Sequence, residues 1–286
     1  MIGWLIINLI QVSIDGPKEI HDRYRTSKDG QSTYEIIFNN LLSLDRKYPS
    51  YLRINGSIVI TLAPPFVLKE IFNWASTEFL KHFSFDYISW VITTVSLKNI
   101  NPEKYWDLNF DVLNRDIEEL KVYLLDKIDN KELSSNELSF FKSWILDSLL
   151  PIYKRDLRDI SDNYKPGLLG CIPGNDRVFV TSNGDYYTCE RVNEAFKIGS
   201  VETGINLDMV NKLQLQIQDF LSFCESCWAK RICQTCLSSL EKEKTINKNY
   251  HLESCPYLLE IIESNLSLFC EIMESDSDFF KQFTFI

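Results

Sequence analysis

The run from Cys224 to Cys236 constrains this chain more than any other feature, because it places four thiols within thirteen residues, CESCWAKRICQTC. Packing alone gives no reason for such a density of cysteine. Three more cysteines stand at useful distances outside the run: Cys171, Cys189 and Cys255. Clustered thiols indicate a metal site, a redox site or a set of disulfides, and the rest of the sequence bears on that choice.

Disulfides would require an oxidising compartment. The first ten residues, MIGWLIINLI, are apolar, but they lack the basic flank and the small-residue cleavage site of a signal peptide. They are also too short to span a membrane, which takes roughly 20 apolar residues. We therefore expect a cytoplasmic chain with reduced thiols and no membrane partner.

Zinc and iron–sulfur clusters are the two remaining alternatives. A structural zinc site usually separates its two cysteine pairs by about a dozen residues or more, so that two turns can face one ion. Here only five residues separate the pairs 224/227 and 233/236, and seven thiols exceed the needs of one zinc ion. Iron–sulfur clusters fit better, because seven cysteines complete one four-cysteine cluster and give a second cluster three protein ligands.

The balance of charges bears on the choice of partners. The 286 residues carry a net charge of −10, and 45% of them are hydrophobic, which is enough for a sizeable core. Because binding to phosphates needs a basic face, this acidic balance argues against a nucleic-acid partner.

The first hundred residues alternate between two hydrophobic periods. Strand-like runs end near Ser13 and cover 58–62 and 87–95, and helical patterns lie between them. One of these helices is expected to begin with a capping box formed by Ser32 and Glu35. Strand–helix–strand order predicts right-handed crossovers and a parallel sheet, so the predicted fold class is α/β.

The rest of the chain predicts helices around a small β region. One helix is expected to end at Pro151, and the last helix to begin after Pro256 with Cys270 buried on its apolar face. Asn183-Gly184 predicts a hairpin with a type I′ turn, whose second strand carries Cys189 back toward Cys171. Phe223 and Trp228 are expected in the core.

Two stretches together resemble one protein family. The spacing Cys171-x12-Gly184-x4-Cys189, Cys224-x2-Cys227-x5-Cys233-x2-Cys236 and Cys255 is similar to the seven-cysteine SPASM domain of radical S-adenosylmethionine (SAM) enzymes. The stretch VSIDGPKEIHDRYR, residues 12–25, resembles the fourth barrel strand and following loop of the same enzymes. Anaerobic sulfatase maturases and ribosomal-peptide maturases share both stretches. The clear likeness covers roughly residues 9–45 and 168–257.

This resemblance implies an architecture and a set of ligands. Residues 1–100 would be the C-terminal half of a TIM-like radical SAM barrel, 101–165 a helical connection and 166–286 a small α+β SPASM domain. Two auxiliary [4Fe-4S] clusters are implied. The second would be held by Cys224, Cys227, Cys233 and Cys255, and the first by Cys171, Cys189 and Cys236. The family commonly has three residues between its last two central cysteines, whereas this chain has two.

The resemblance also implies roles for three other residues. Glu190 follows Cys189 at the place where sulfatase maturases have an aspartate that takes the substrate proton, and Ser13 and Arg25 lie where contacts to SAM arise. The residues themselves leave other interpretations open: a solvated strand residue for Glu190, a turn residue for Ser13 and a surface ion pair for Arg25.

The family's defining Cys-x3-Cys-x2-Cys loop, which binds the cluster that cleaves SAM, is not in this sequence, and no cysteine precedes Cys171. Two hypotheses follow. The chain is an enzyme component that acts on a peptide or protein, with SAM bound only when a separate N-terminal half completes the barrel. Alternatively, it is a non-catalytic iron–sulfur or peptide-binding module.

Overall fold

The computed structural model describes residues 10–48, 50–63, 65–83, 85, 88–92, 110–155, 172–175, 177–192, 194–233 and 235–283. The chain divides into two compact units. Unit 1 comprises Met1–Leu150 and Leu268–Ile286, and unit 2 comprises Pro151–Ser267. The predicted domain boundaries differ from this division and stay predictions. None of the helices in the described part is both long and apolar enough to cross a membrane.

Unit 1 contains a parallel three-stranded sheet in the order β1–β2–β3. Its strands are β1 (Ile10–Ser13), β2 (Gly56–Leu62) and β3 (Ile88–Ile92). Val12 pairs with Ile58, and Ile60 pairs with Trp90. Ile58, Ile60 and Leu62 of β2 are buried, whereas Val59 and Thr61 are partly buried, so one face of the strand is more deeply covered than the other. The predicted α/β class and parallel sheet are confirmed, while residues 1–9, 87 and 93–95 of the predicted strands lie outside the described residues.

The helices of unit 1 follow the strands in sequence. They are α1 (Lys18–Tyr24), α2 (Tyr34–Lys47), α3 (Tyr51–Asn55), α4 (Leu68–Asn73), α5 (Phe110–Asp129), α6 (Ser135–Trp144) and α7 (Leu150–Tyr153), the last of which crosses the boundary between the units. π-Helical turns continue α4 over Trp74–Phe79 and α6 over Ile145–Leu149. The prediction that a helix ends at Pro151 is wrong, because helical structure continues from the π-helical turn into α7, which contains Pro151.

The start of α2 also differs from the prediction. Thr33 precedes the helix and its side chain caps nothing. Instead, Asp22 Oδ1 accepts hydrogen bonds from the backbone N–H groups of Thr33 and Tyr34, both at 3.1 Å. A carboxylate from the preceding helix α1 therefore satisfies the helix end that a local capping box was expected to satisfy.

Unit 2 combines a small antiparallel sheet, a hairpin and helices. The sheet runs β4 (Phe179–Val180), β5 (Asp185–Tyr187), β6 (Lys197–Ser200) and β7 (Gly204–Ile205), and the hairpin pairs β8 (Glu241–Lys242) with β9 (Thr245–Ile246). Helix α8 is Leu207–Phe220, and short 3₁₀ turns cover Glu190–Val192, Leu221–Ser226 and Leu237–Ser239. The buried core is Val192, Leu213, Ile217, Leu221, Leu237 and Leu240, and Cys224 packs against it.

The β4–β5 hairpin forms as predicted, but with another turn. Thr181 pairs with Asp185, so three residues form the loop, and Gly184 N–H donates to Thr181 O at 2.9 Å. Gly184 has a φ of 80°, and Asn183 is not among the residues with positive φ. The turn is therefore a three-residue loop that closes with a left-handed glycine, not the type I′ turn.

Helix α9 (Lys248–Ser275) begins eight residues before Pro256, so the prediction that it begins after that proline is wrong. Pro256 removes one N–H from the ladder inside the helix, directly after Cys255. Two expected core residues are also exposed: Cys270 on α9, and Trp228 with 56% of its surface accessible. A 3₁₀ turn, Phe279–Phe283, ends the described chain in unit 1.

Candidate metal centre

Four thiols of unit 2 form a group that we call the quartet: Cys224, Cys227, Cys233 and Cys255. The first stands in the 3₁₀ turn after α8, and the last in α9. Between them the backbone turns tightly: Cys227 N–H donates to Cys224 O at 3.0 Å, and Cys233 N–H to Ala229 O at 2.8 Å. All four side chains are partly buried and free of disulfides.

The electrostatics of the quartet show that its members act on one another. Burial raises the pKa of Cys224 to about 11, and the charges of Cys227, Cys233 and Cys255 add to the increase. Burial likewise raises the pKa of Cys255, with further contributions from Cys227 and Cys233. Like charges in a partly dry site disfavour ionisation, so a bound cation would be required to hold these groups as thiolates.

A single metal ion and a cluster make different demands on this group. Among the described residues, no three His, Cys, Asp or Glu side chains are close enough to enclose one ion. The quartet offers four thiols whose charges act on one another, and such a donor set fits a [4Fe-4S] cluster, which takes four cysteine thiolates.

A second group, which we call the thiol pair, consists of Cys189 and Cys236. Burial raises the pKa of Cys189, and the charges of Glu190 and Cys236 raise it further. Cys189 Sγ accepts a hydrogen bond from Arg191 N–H at 3.1 Å, and Cys236 Sγ accepts one from the Ser238 hydroxyl at 3.2 Å. The charge of Cys236 therefore acts on Cys189, although Cys236 is the last cysteine of the run from Cys224 to Cys236. Cys171, the third predicted ligand, lies outside the described residues.

Glu190 stands in the 3₁₀ turn directly after Cys189. Its carboxylate pairs with Arg177, with 3.6 Å between Oε1 and Nη1, and 54% of its side chain is exposed. The carboxylate is thus beside the thiol pair and open to solvent. Its predicted role in taking a proton stays a prediction.

Ser13 and Arg25, the predicted SAM contacts, lie in unit 1 at the carboxyl end of β1. Ser13 is the last residue of that strand, and Arg25 Nε pairs with Asp15 Oδ2 at 2.5 Å. Arg25 Nη2 donates to Thr61 Oγ1 at 3.2 Å, and Asp15 Oδ1 accepts from Thr61 N–H at 3.0 Å. Arg25 is therefore anchored to a buried carboxylate at the ends of two parallel strands.

His21 completes this arrangement, which we call the strand-end network: Asp15, His21, Arg25, Thr33 and Thr61. The His21 side chain is fully buried, and its Nδ1 accepts from Asp15 N–H at 3.1 Å. Thr33 Oγ1 donates to Arg25 O, so it accepts from His21 Nε2, 3.0 Å away. Burial lowers the pKa of His21, which agrees with the neutral ring that these bonds require.

The sequence indicated Ser13 and Arg25 but not the role of Asp15 and His21. Asp15-Gly16-Pro17 is typical of a turn, and indeed Gly16 has a φ of 137°, where a Cβ would approach Ile71 Cδ1 to 2.6 Å. His251, one helical turn before Cys255, was also without an assigned environment. Its ring is buried against Phe220 and Phe223, with centroids 5.9 Å apart in both cases.

Comparisons with known proteins add one finding. No family model matches this chain, and no curated protein matches its sequence. Among solved structures, hexahistidine-tagged anSMEcpe with bound AdoMet superposes with a TM-score of 0.57 at 17% identity, covering 92% of this chain and 69% of that chain. The chain shares the fold of anSMEcpe. That protein is an anaerobic sulfatase-maturating enzyme of the radical SAM/SPASM class.

A second structure of the same protein supports this result. Native anSMEcpe with bound AdoMet and Cp18Cys peptide matches with a TM-score of 0.55 at 18% identity, covering 90% of this chain and 70% of that chain. The resemblance inferred from the cysteine spacing is thus confirmed at the level of the fold.

Proposed function

We propose that this chain is the C-terminal portion of a radical SAM/SPASM enzyme that modifies a peptide or protein, and that its SPASM part binds two auxiliary [4Fe-4S] clusters. The observation that supports this best is the division of six thiols into the quartet and the thiol pair. The resemblance implies the same division, including the crossing of Cys236 away from its neighbours. The shared fold with a protein whose structures hold AdoMet and a peptide agrees with it.

In this proposal the quartet supplies four thiolates to the second cluster, and Cys171, Cys189 and Cys236 supply three to the first. Each cluster, when bound, can accept or donate one electron. The chain's own residues hold these thiolates in place. Arg191 N–H and the Ser238 hydroxyl donate to sulfurs of the thiol pair, and such donors orient ligands and tune metal sites.

Three further residues have proposed roles. Glu190 would accept a proton from a bound peptide beside the first cluster, because its carboxylate is exposed and adjacent to Cys189. Ser13 and Arg25 would contact SAM from the strand ends of unit 1, where ligands of parallel sheets collect. The anchoring of Arg25 by Asp15 would fix its position for that contact.

The SAM-cleaving site itself would come from outside this sequence. The chain has no Cys-x3-Cys-x2-Cys motif, and the matched structure extends over residues without a counterpart here. We propose that a cytoplasmic N-terminal radical SAM half completes the barrel beside β1–β3. The alternative is a non-catalytic iron–sulfur or peptide-binding module, and it shares the cysteine site with the first proposal.

The experiment that separates the two uses the full chain reconstituted with iron and sulfide under anaerobic conditions. Reductant and SAM are then added, with and without a co-expressed radical SAM half encoded next to this chain. Formation of 5′-deoxyadenosine above the level of the half alone supports the enzyme component. Cleavage that this chain leaves unchanged, with clusters bound, supports the non-catalytic module instead.

A further inference from the structure

A cleft of about 630 Å³ lies in unit 2, and none of the described cysteines lines it. Helix α8, the β8–β9 hairpin and the first turn of α9 form its walls. The charged and apolar residues that line it are Phe196, Asp219, Phe220, Lys244, Ile246 and Lys248. Pockets of roughly 300–1,000 Å³ suit small ligands or a few peptide residues, so the cleft is large enough for a ligand.

Two ammonium groups belong to this cleft, and neither forms an ion pair with a described residue. Lys248 Nζ stands over the Phe223 ring, 5.0 Å from its centroid. Lys244 lies in the hairpin turn, where its φ of 63° and the bond from its N–H to Glu241 Oε1 at 2.6 Å fix the backbone. In a chain with a net charge of −10, these two lysines face the single carboxylate of Asp219 among the lining residues, so the lining carries a net positive charge that favours an anion.

The start of α9 adds to this positive potential. Lys248 opens the helix, and Asn247 Oδ1 accepts from Tyr250 N–H at 3.0 Å, which leaves other N–H groups of the first turn without a helical partner. The first turn contains no acidic residue. A lysine at the positive end of a 28-residue helix is unfavourable, and a bound carboxylate would offset both charges.

The other lining residues decide which anion fits. Asp219 has a carboxylate in the same cleft, which would repel a polyphosphate with several charges more strongly than a single carboxylate, and it can accept hydrogen bonds from amide N–H groups. Phe196, Phe220 and Ile246 offer apolar surface to a side chain. We propose that this cleft binds an acidic peptide segment, with a side-chain carboxylate between Lys244 and Lys248 and a neighbouring apolar side chain on the aromatic wall. This goes beyond the proposed function and does not rest on it, because no thiol takes part.

The test uses a short fluorescein-labelled peptide in which glutamate alternates with leucine and phenylalanine, and a matched peptide with glutamine in place of glutamate. Fluorescence anisotropy with the full chain should give a Kd for the acidic peptide at least about tenfold lower than for the glutamine peptide. Lys244→Glu and Lys248→Glu should each raise that Kd about tenfold, whereas Lys81→Glu, an exposed site in unit 1, should leave it unchanged.

Further arms distinguish the outcomes. Equal binding of the two peptides, or an equal loss of affinity with Lys81→Glu, would overturn the proposal.

Tripolyphosphate should compete poorly with the acidic peptide, and Asp219→Asn should improve its competition. Displacement of the peptide by an equal concentration of tripolyphosphate would overturn the proposal and reassign the cleft to phosphates. If a charge reversal prevents folding, judged by circular dichroism, Lys244→Gln and Lys248→Gln should still lower the preference for glutamate over glutamine. A preference that they leave unchanged would also overturn the proposal.

Discussion

Two polar centres of this chain hold their charges in opposite ways. In the strand-end network of unit 1, the buried carboxylate of Asp15 meets the Arg25 guanidinium and the Thr61 N–H, and the His21 nitrogens are both bonded. In the quartet of unit 2, the charges that act on Cys224 are those of three other thiols. The first centre is complete with protein atoms, whereas the second is a set of acids that would require a cation.

This difference indicates that the quartet should depend on a bound cofactor and that the strand-end network should not. A completed network contributes to stability whether or not a ligand binds, because its polar groups are already paired. A group of thiols that disfavour each other's ionisation gains its stability from the metal that it binds. We therefore expect metal removal to weaken unit 2 and to leave the strand-end network intact.

The largest expected effect comes from breaking the quartet. Cys255→Ala removes one of four predicted ligands of the second cluster and should lower the iron content after anaerobic reconstitution to about half. Cys270→Ala is the matched control, since that cysteine is exposed on the same helix. Iron analysis with protein quantification provides the measurement, and equal iron in Cys255→Ala and Cys270→Ala would contradict the assignment.

The next effect concerns the strand-end network. Asp15→Asn keeps the shape but removes the charge opposite Arg25, and we expect a loss of about 2–3 kcal/mol in the free energy of unfolding of unit 1. Chemical denaturation followed by circular dichroism measures this loss. Asp29→Asn, at an exposed position, should change it by less than about 0.5 kcal/mol. Iron content should be unchanged in both variants. A loss of iron in Asp15→Asn would contradict the view that the strand-end network and the quartet are independent.

Acid should weaken unit 1 through Asp22. Burial would raise the pKa of this carboxyl, but hydrogen bonds from Ser32 and the Tyr34 N–H and the charge of Lys18 lower it to about 2. Because the folded pKa lies below the ordinary value of 3.8, this stabilisation is present above about pH 4 and is lost as the pH falls through 2. The difference in denaturation midpoint between the unaltered chain and Asp22→Asn should therefore shrink as the pH falls from about 5 to about 3. A constant difference would show that the helix cap does not depend on the charge.

The smallest effect belongs to the thiol pair. Ser238→Ala removes the hydroxyl that donates to Cys236 Sγ and should lower the reduction potential of the first cluster, because hydrogen bonds to sulfur stabilise the reduced form. Iron content and the potential of the other cluster should stay the same. A redox titration followed by electron paramagnetic resonance measures both potentials. A shift in the quartet's cluster alone would mean that Cys236 belongs with the quartet.

The sequence predicted the parallel sheet well because hydrophobic periodicity is local. The runs at 58–62 and 87–95 mark two of its three strands directly. It predicted the ends of helices poorly where a residue from another helix caps the end, or where a helix continues through a proline. Asp22 caps α2 from another helix, and Pro256 is accepted inside α9 because one lost hydrogen bond does not end a long, packed helix.

For the candidate site, the spacing of cysteines carried most of the information. The resemblance that this spacing carries implied the separation of Cys236 from the quartet, and the electrostatic grouping of the thiols agrees with that division. Spacing does not tell which face of a helix is covered, and so Cys270 and Trp228 were expected to be buried but are exposed. Asp15, His21 and Arg25 of the strand-end network lie within the stretch 12–25, but the sequence does not show the hydrogen bonds among them. Thr61 joins them only through the pairing of β1 with β2.

The most direct test of the central claim is a count of metals on the full chain after anaerobic reconstitution, with Mössbauer spectroscopy to identify the cluster type. The account predicts about seven to eight irons per chain, all in [4Fe-4S] form, with the quartet and the thiol pair each holding one cluster. One zinc ion per chain and no iron would contradict it.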